Sequence, residues 1–157
     1  MVVFSFGKTY HATGWKMGYI LAPENLTTEF RKVHQFNVFS VNTPTQLALA
    51  DYMKEEVNYL NLGEFYQAKR DTFRNLIAPS RFKVMDCSGS YFQLLDYSAI
   101  TDEKDTEFAI RMTKEFGVAS IPVSVFYQRK LDNKLLRFCF AKDDETLQRA
   151  AEKLCLI

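Results

Sequence analysis

The chain opens on Met1-Val2-Val3-Phe4-Ser5, an apolar, β-branched run closed by Gly7. A run of this kind, with no apolar–polar alternation, reads as a strand buried on both faces, as in a parallel sheet. Such a strand needs neighbours in the sheet and layers above and below it. One nearby candidate exists, Met17 to Leu21, ending at Ala22-Pro23. Two strands do not make a sheet with two covered faces. Residues 1–22 are therefore expected to belong to something larger than this chain builds by itself.

Helical patterns follow. Pro23-Glu24-Asn25 opens a segment with Leu26, Phe30 and Val33 at helical spacing. Asn42-Thr43-Pro44 is a helix start, with Thr43 as candidate N-cap and Pro44 in the first turn. Asn61 to Leu76 is a charged helix with Phe65, Phe73, Leu76 and Ile77 on its apolar side. From Arg81 the texture changes to short strands, Phe82–Met85 and Tyr91–Leu95, around a Ser88-Gly89-Ser90 turn. Asp105 to Phe116 is a helix stopped by Gly117. Val118 to Phe126 reads as extended, broken by Pro122. Lys134 to Phe140 is a strand, and Asp143-Asp144-Glu145 opens a last helix whose acidic first turn suits the helix dipole. Residues from about 81 onward thus form an α+β unit.

Composition narrows the function classes. At 157 residues, 47% hydrophobic and 25% charged, the sequence is that of a globular chain rather than a disordered one. Twenty basic against nineteen acidic residues give a net charge of +1, so no electrostatic footprint for nucleic acid or an anionic membrane is expected. No stretch near either end is long enough to span a membrane. Three cysteines, Cys87, Cys139 and Cys155, without a CxxC, argue against a disulfide framework or a zinc site. Cys139 and Cys155 lie in apolar runs and read as small core residues. A reducing, cytoplasmic compartment is the expectation. His11 and His34 have no metal-ligand spacing and read as packing or surface residues.

Chemistry concentrates in Ser5-Phe6-Gly7-Lys8-Thr9-Tyr10-His11-Ala12-Thr13-Gly14-Trp15-Lys16-Met17-Gly18-Tyr19. Gly7-Lys8-Thr9 could end a phosphate-binding P-loop, but that motif needs a glycine at position 2, where Val2 stands. A nucleotide P-loop is rejected. Elsewhere, Arg137 sits in the apolar run Leu135-Leu136-Arg137-Phe138-Cys139-Phe140, where a cation wants a strong partner: a structural ion pair or a bound anion.

The Ser5–Tyr19 stretch resembles the pyridoxal-phosphate lysine motif of class I aminotransferases. That family's pattern has a small residue, two more, the cofactor lysine, and a Gly-aromatic-basic-x-Gly turn further on. The likeness is strongest to the methionine and kynurenine aminotransferase-like branch, where the turn can read Gly-Trp-Lys. Lys16, where Arg is usual, and His11, where a smaller residue is usual, depart from the general pattern. The resemblance continues in order through Phe36–Gln46, Gly89-Ser90-Tyr91-Phe92, Gly117–Phe126 (with Val123 where Gly is common) and Leu136–Ala141.

The resemblance implies roles. Lys8, read as standing where a strand gives way to a loop, would bond the cofactor aldehyde as an imine and, once released, carry a proton to and from the substrate α-carbon. Ser5 and Lys16 would anchor the cofactor phosphate, the alternative for Ser5 being a strand-end hydroxyl. Arg137 would receive the substrate α-carboxylate. Gly14 and Gly18 would let the turn approach closely, and Trp15 would pack rather than stack on the cofactor. The reaction implied is transfer of an amino group between an α-amino acid and a 2-oxo acid through pyridoxal 5'-phosphate. Its substrate would be methionine or another large apolar or aromatic amino acid, and no metal would take part.

The implied fold is an α/β parent, a three-layer PLP-transferase large domain represented by its C-terminal part, plus an α+β small domain. Residues 1–45 would be the large-domain remnant, 46–80 inter-domain helices and 81–157 the small domain. Family members are more than twice as long, and their N-terminal part carries the ring-stacking aromatic and the Asp that pairs with the pyridine nitrogen. This chain is accordingly expected to be a partial form, inactive in isolation, of a protein that is a homodimer when complete. Two other readings stay open: a non-catalytic small-domain or dimerisation fragment, and a fold-type I carbon–sulfur β-lyase.

Overall fold

The computed structural model describes all residues, 1–157, in two compact units, Met1–Gly63 and Glu64–Ile157.

In the first unit, β1 (Val2–Ser5) and β2 (Gly18–Leu21) form a two-stranded antiparallel ribbon. Between them lie the one-turn helix α1 (Phe6–Thr9) and a 3-10 turn, Thr13–Trp15. Then come α2 (Glu24–Asn37), α3 (Thr43–Tyr52) and the short α4 (Val57–Leu60). The strand expected to be buried on both faces is exposed here: Val2, Val3 and Leu21 are all exposed. Its β-branched run does pair, but with one antiparallel neighbour, and of its four residues only Phe4 is half-buried. Helix α3 is capped by Asn42, whose carboxamide oxygen accepts the Thr45 amide at 2.9 Å. The expected cap, Thr43, is instead the first helical residue. Asn outcompetes it because an Asx side chain reaches an amide three residues on. Packing in this unit is largely aromatic. Phe4 stacks on Tyr19 at 5.0 Å, and Tyr10 meets the edges of Tyr52 and Tyr59.

In the second unit, α5 (Leu62–Ile77, entering from the first unit), α6 (Asp105–Arg111) and α7 (Asp144–Leu154) accompany β3 (Lys83–Val84), β4 (Phe92–Asp96), β5 (Ile121–Pro122) and β6 (Leu135–Cys139). The sheet order is β3-β4-β6-β5, all antiparallel. Alternation divides its two central strands: Leu95, Leu136 and Phe138 are buried in a cluster with Phe73, Ile77, Phe108, Met112, Leu147 and Leu154. Each such side chain contributes about 1.5–3 kcal/mol by leaving water. The opposite sheet face carries Phe92, Leu94, Arg137 and Cys139, as the alternate pairs Phe92–Cys139 and Leu94–Arg137.

Three local expectations change here. Helix α6 runs into a π-helical turn, Met112–Phe116, before Gly117 stops it with φ 64°. Val118–Phe126 is not extended throughout: only Ile121–Pro122 pairs, and Ser124–Phe126 is a 3-10 turn. Pro122 is tolerated because β5 is an edge strand. Cys139 and Cys155 are half-buried rather than core: Cys139 lies on the β6 face opposite the packed cluster, and Cys155 follows the last residue of α7 with its Sγ donating to the Leu76 carbonyl at 3.6 Å. Helix α5 likewise leaves Phe65 exposed.

Candidate active site

The motif residues gather at one end of the β1–β2 ribbon. Register places Ser5 opposite Gly18, and the Phe6 amide donates to the Met17 carbonyl at 3.1 Å. The chain entering α1 and the chain leaving Lys16 therefore run side by side. Gly18 makes this possible, because a Cβ there would lie 2.4 Å from the Phe4 carbonyl oxygen. Gly14 has no such duty: nothing stands within 4 Å of the Cβ it lacks, so the close approach expected of both glycines belongs to Gly18.

Ser5 is the N-cap of α1. Its Oγ accepts the Gly7 amide at 3.3 Å, which turns the backbone helical directly after the strand. Lys8 thus stands on a helical turn, not at the strand-to-loop junction expected from sequence. Gly7 is buried against Thr13, whose Cα would lie 3.0 Å from a Cβ at position 7. This contact fixes α1 against the 3-10 turn. Lys16 follows that turn in a left-handed conformation, φ 53°. Lys8 and Lys16 are both exposed, and neither takes part in an ion pair. Trp15 is 52% exposed, so it does not pack within this unit as expected. Tyr10 lies beside the motif, and burial, then the neighbouring Tyr59, Tyr19 and Tyr52 hydroxyls, push its phenol up. It stays protonated and neutral near neutral pH.

Arg137 belongs to the second unit. It is the middle residue of β6, paired with Leu94 on one side and Ile121 on the other. Its guanidinium carbon lies 4.1 Å from the Phe92 ring centroid and 5.0 Å from that of Phe126. Its Nε is buried without a hydrogen-bond acceptor, and no carboxylate pairs with it. The structural ion pair weighed from sequence is therefore not formed. Phe92 and Phe126 escaped sequence reasoning. Strand alternation could have put Phe92 on the Arg137 face, but nothing local announces Phe126.

The model of the aminotransferase class I and II family matches residues 1–154, and the chain belongs to that family, whose members use pyridoxal phosphate. It is 52% identical to a methionine aminotransferase of Escherichia coli over 98% of its own length and 40% of that protein's. It is 36% identical to a kynurenine–oxoglutarate transaminase of Dictyostelium discoideum, again over 98% of this chain and 40% of the relative. A crystal structure of a methionine aminotransferase from E. coli superposes with a TM-score of 0.93 at 52% identity, covering 99% of this chain and 41% of that one. The chain thus spans about 40% of the length of these relatives.

Proposed function

We propose that this chain carries the lysine and the carboxylate-binding arginine of a pyridoxal-phosphate-dependent aminotransferase. Its substrates would be methionine or another large apolar or aromatic amino acid, and a 2-oxo acid. The observation that carries the reading is Arg137: a guanidinium in an apolar strand, with a buried and unpartnered Nε and no acidic side chain to neutralise it. Arg137 as a whole is half-buried, and a cation partly withdrawn from water with an unmet donor gains when an anion arrives. The α-carboxylate common to both substrates is a planar anion that fits its fork.

The first unit suits the cofactor by the chemistry of its donors. Two exposed ammonium groups, Lys8 and Lys16, are free of carboxylates. The Ser5 hydroxyl accepts from Gly7 while keeping its own proton to donate. Lys16 and Ser5 are assigned to the phosphate and Lys8 to the aldehyde carbon. Bound there, the pyridoxal group supplies an electron-withdrawing ring that makes an amino acid's α-proton labile. The Lys8 amine would take that proton as general base and give one back, from the same side, as general acid. Residues 1–45 are assigned to the large domain of a three-layer parent, 46–80 to inter-domain helices and 81–157 to the small domain; a homodimer is the proposed assembly.

Borohydride reduction after adding the cofactor, followed by peptide mapping, tests the reading. The label is expected on Lys8, with transamination of methionine by the active protein. A label on another lysine, or deamination that releases the sulfur side chain instead of transferring the amino group, would overturn it.

A further inference from the structure

The side chain of Arg137 does not stand alone on the sheet face. Phe92 reaches it from β4, where it pairs with Cys139 and shares Arg137's face. Phe126 reaches it from the Ser124–Phe126 turn. That turn is tied down by an unusual group. Asp105, first residue of α6, is 1% exposed. Its carboxylate accepts the Ser124 amide and the Ser124 hydroxyl, both at 2.7 Å. A buried carboxylate is costly to keep. Here both its oxygens are spent on one residue, two positions before Phe126.

The rings matter for what they cannot do. Phenyl faces attract a guanidinium through their quadrupole, yet they accept no N–H as a carboxylate does. They hold Arg137 in place and leave its donors unspent, consistent with the buried, unpartnered Nε. An ion pair would hold it too, but would occupy the fork.

We propose that Phe92 and Phe126, the latter set by the Asp105–Ser124 latch, are positioning residues that pre-orient the Arg137 fork for a carboxylate. The proposal rests on reading Arg137 as the carboxylate receptor. Preorganisation of this kind removes a side-chain ordering cost from each binding event.

The test uses the full chain labelled with nitrogen-15 arginine, titrated with 3-phenylpropanoate and read at the Arg137 Nε–H resonance. This probe has a carboxylate and an apolar body but no amine, so it reports on the fork without cofactor chemistry. Phe92→Leu and Phe126→Leu are expected to weaken binding by about 3- to 30-fold, the range of one cation–π contact. Phe92→Tyr and Phe126→Tyr should restore it, because the ring face remains. Ser124→Ala removes one latch bond without adding bulk and should weaken binding in the same direction, which keeps the proposal open to refutation should a Leu variant not fold. In turnover by the active protein, the Leu variants should raise KM for the amino acid well beyond any fall in kcat. If the Leu and Ser124→Ala variants bind as tightly as the unaltered chain, or if the Tyr variants fail to rescue, the clamp is overturned. If Arg137→Leu leaves binding unchanged, the carboxylate reading itself falls, a result separable from failure of the clamp alone.

Discussion

In Met1–Gly63 the buried hydrophobic side chains are Met17 and Leu49, whereas in Glu64–Ile157 a continuous cluster runs from Phe73 to Leu154. The two units also hold their functional side chains differently. Lys8 is placed by backbone geometry: a serine cap, a buried Gly7 and a Gly18 that admits the Phe4 carbonyl. Arg137 is placed by packing: a central strand, two rings and a latch from a distant helix. The difference follows from what covers each strand. Along β4 and β6 burial alternates, with Leu95, Leu136 and Phe138 turned to the cluster that three helices supply. Strand β1 has one partner, and Val2 and Val3 remain in water while Phe4 is half-buried. Substitutions in the first unit should therefore act locally, through the chemistry or the backbone they touch. Those in the second should spread through the core.

The largest effect tests the first half of that contrast. Lys8→Ala should lower transamination by the active protein at least ~10²–10⁴-fold, the contribution of a positioned acid–base group, while the circular dichroism spectrum stays unchanged. Lys8 is exposed and unpaired, so its removal leaves no cavity. A variant that turns over at the original rate would remove Lys8 from the chemistry.

Next comes the functional residue of the packed unit. Arg137→Ala should weaken productive binding of amino acids by ~2–5 kcal/mol, as when one side of a buried charge pair is truncated. Arg137→Lys should not restore it, because a point charge cannot replace a fork. An amine lacking the carboxylate that already reacts as well as the amino acid would break the assignment.

Legibility in the sequence divided along the same line. In the second unit the helices, the stop at Gly117 and the central strands were readable, because periodicity and turn residues act locally and agree with the packing. Its failures, the 3-10 turn at Ser124–Phe126 and the half-buried Cys139, depend on partners far along the chain. The Asp105–Ser124 latch joins residues nineteen apart and had no local signal. In the first unit the motif residues stood out, and the helical turn at Lys8 was missed. Ser5 was read as a phosphate anchor or a strand-end hydroxyl, and its capping of the turn that follows was not foreseen. The unbroken apolar run of β1 suggested burial on both faces, which depends on neighbours rather than on the run, and its one antiparallel partner leaves Val2 and Val3 exposed.

The third prediction measures the core contrast. Leu147→Ala in the second unit should cost ~2–5 kcal/mol of stability, as for a Leu lost from a packed core. Leu21→Ala, at 60% exposure, should stay within about 0.5 kcal/mol, as for surface substitutions. Denaturant unfolding followed by tyrosine fluorescence would measure both. Hydrogen exchange should agree, with weak protection before about residue 45 and strong protection after about residue 80. Equal sensitivity at the two leucines would mean that the first unit has a core its surface does not reveal.

The smallest effects separate backbone from packing within the first unit. Gly18→Ala would put a Cβ 2.4 Å from the Phe4 carbonyl oxygen, a backbone atom that cannot swing aside. The ribbon would have to open, at a cost of ~1–3 kcal/mol, the range for overpacking. The Phe6–Met17 hydrogen bond beside it, and with it the approach of Lys16 to α1, would loosen. Gly14→Ala meets no atom within 4 Å, and Gly14 does not adopt a positive φ. It should therefore be neutral or stabilise by ~0.4–1 kcal/mol through reduced freedom of the unfolded chain. Amide exchange at Phe6 reads the pair directly: faster in Gly18→Ala, unchanged in Gly14→Ala. Should Gly14→Ala also speed that exchange, the turn from Thr13 to Lys16 would owe its shape to the glycine itself, and backbone freedom at position 14 would join Gly18 in setting the motif.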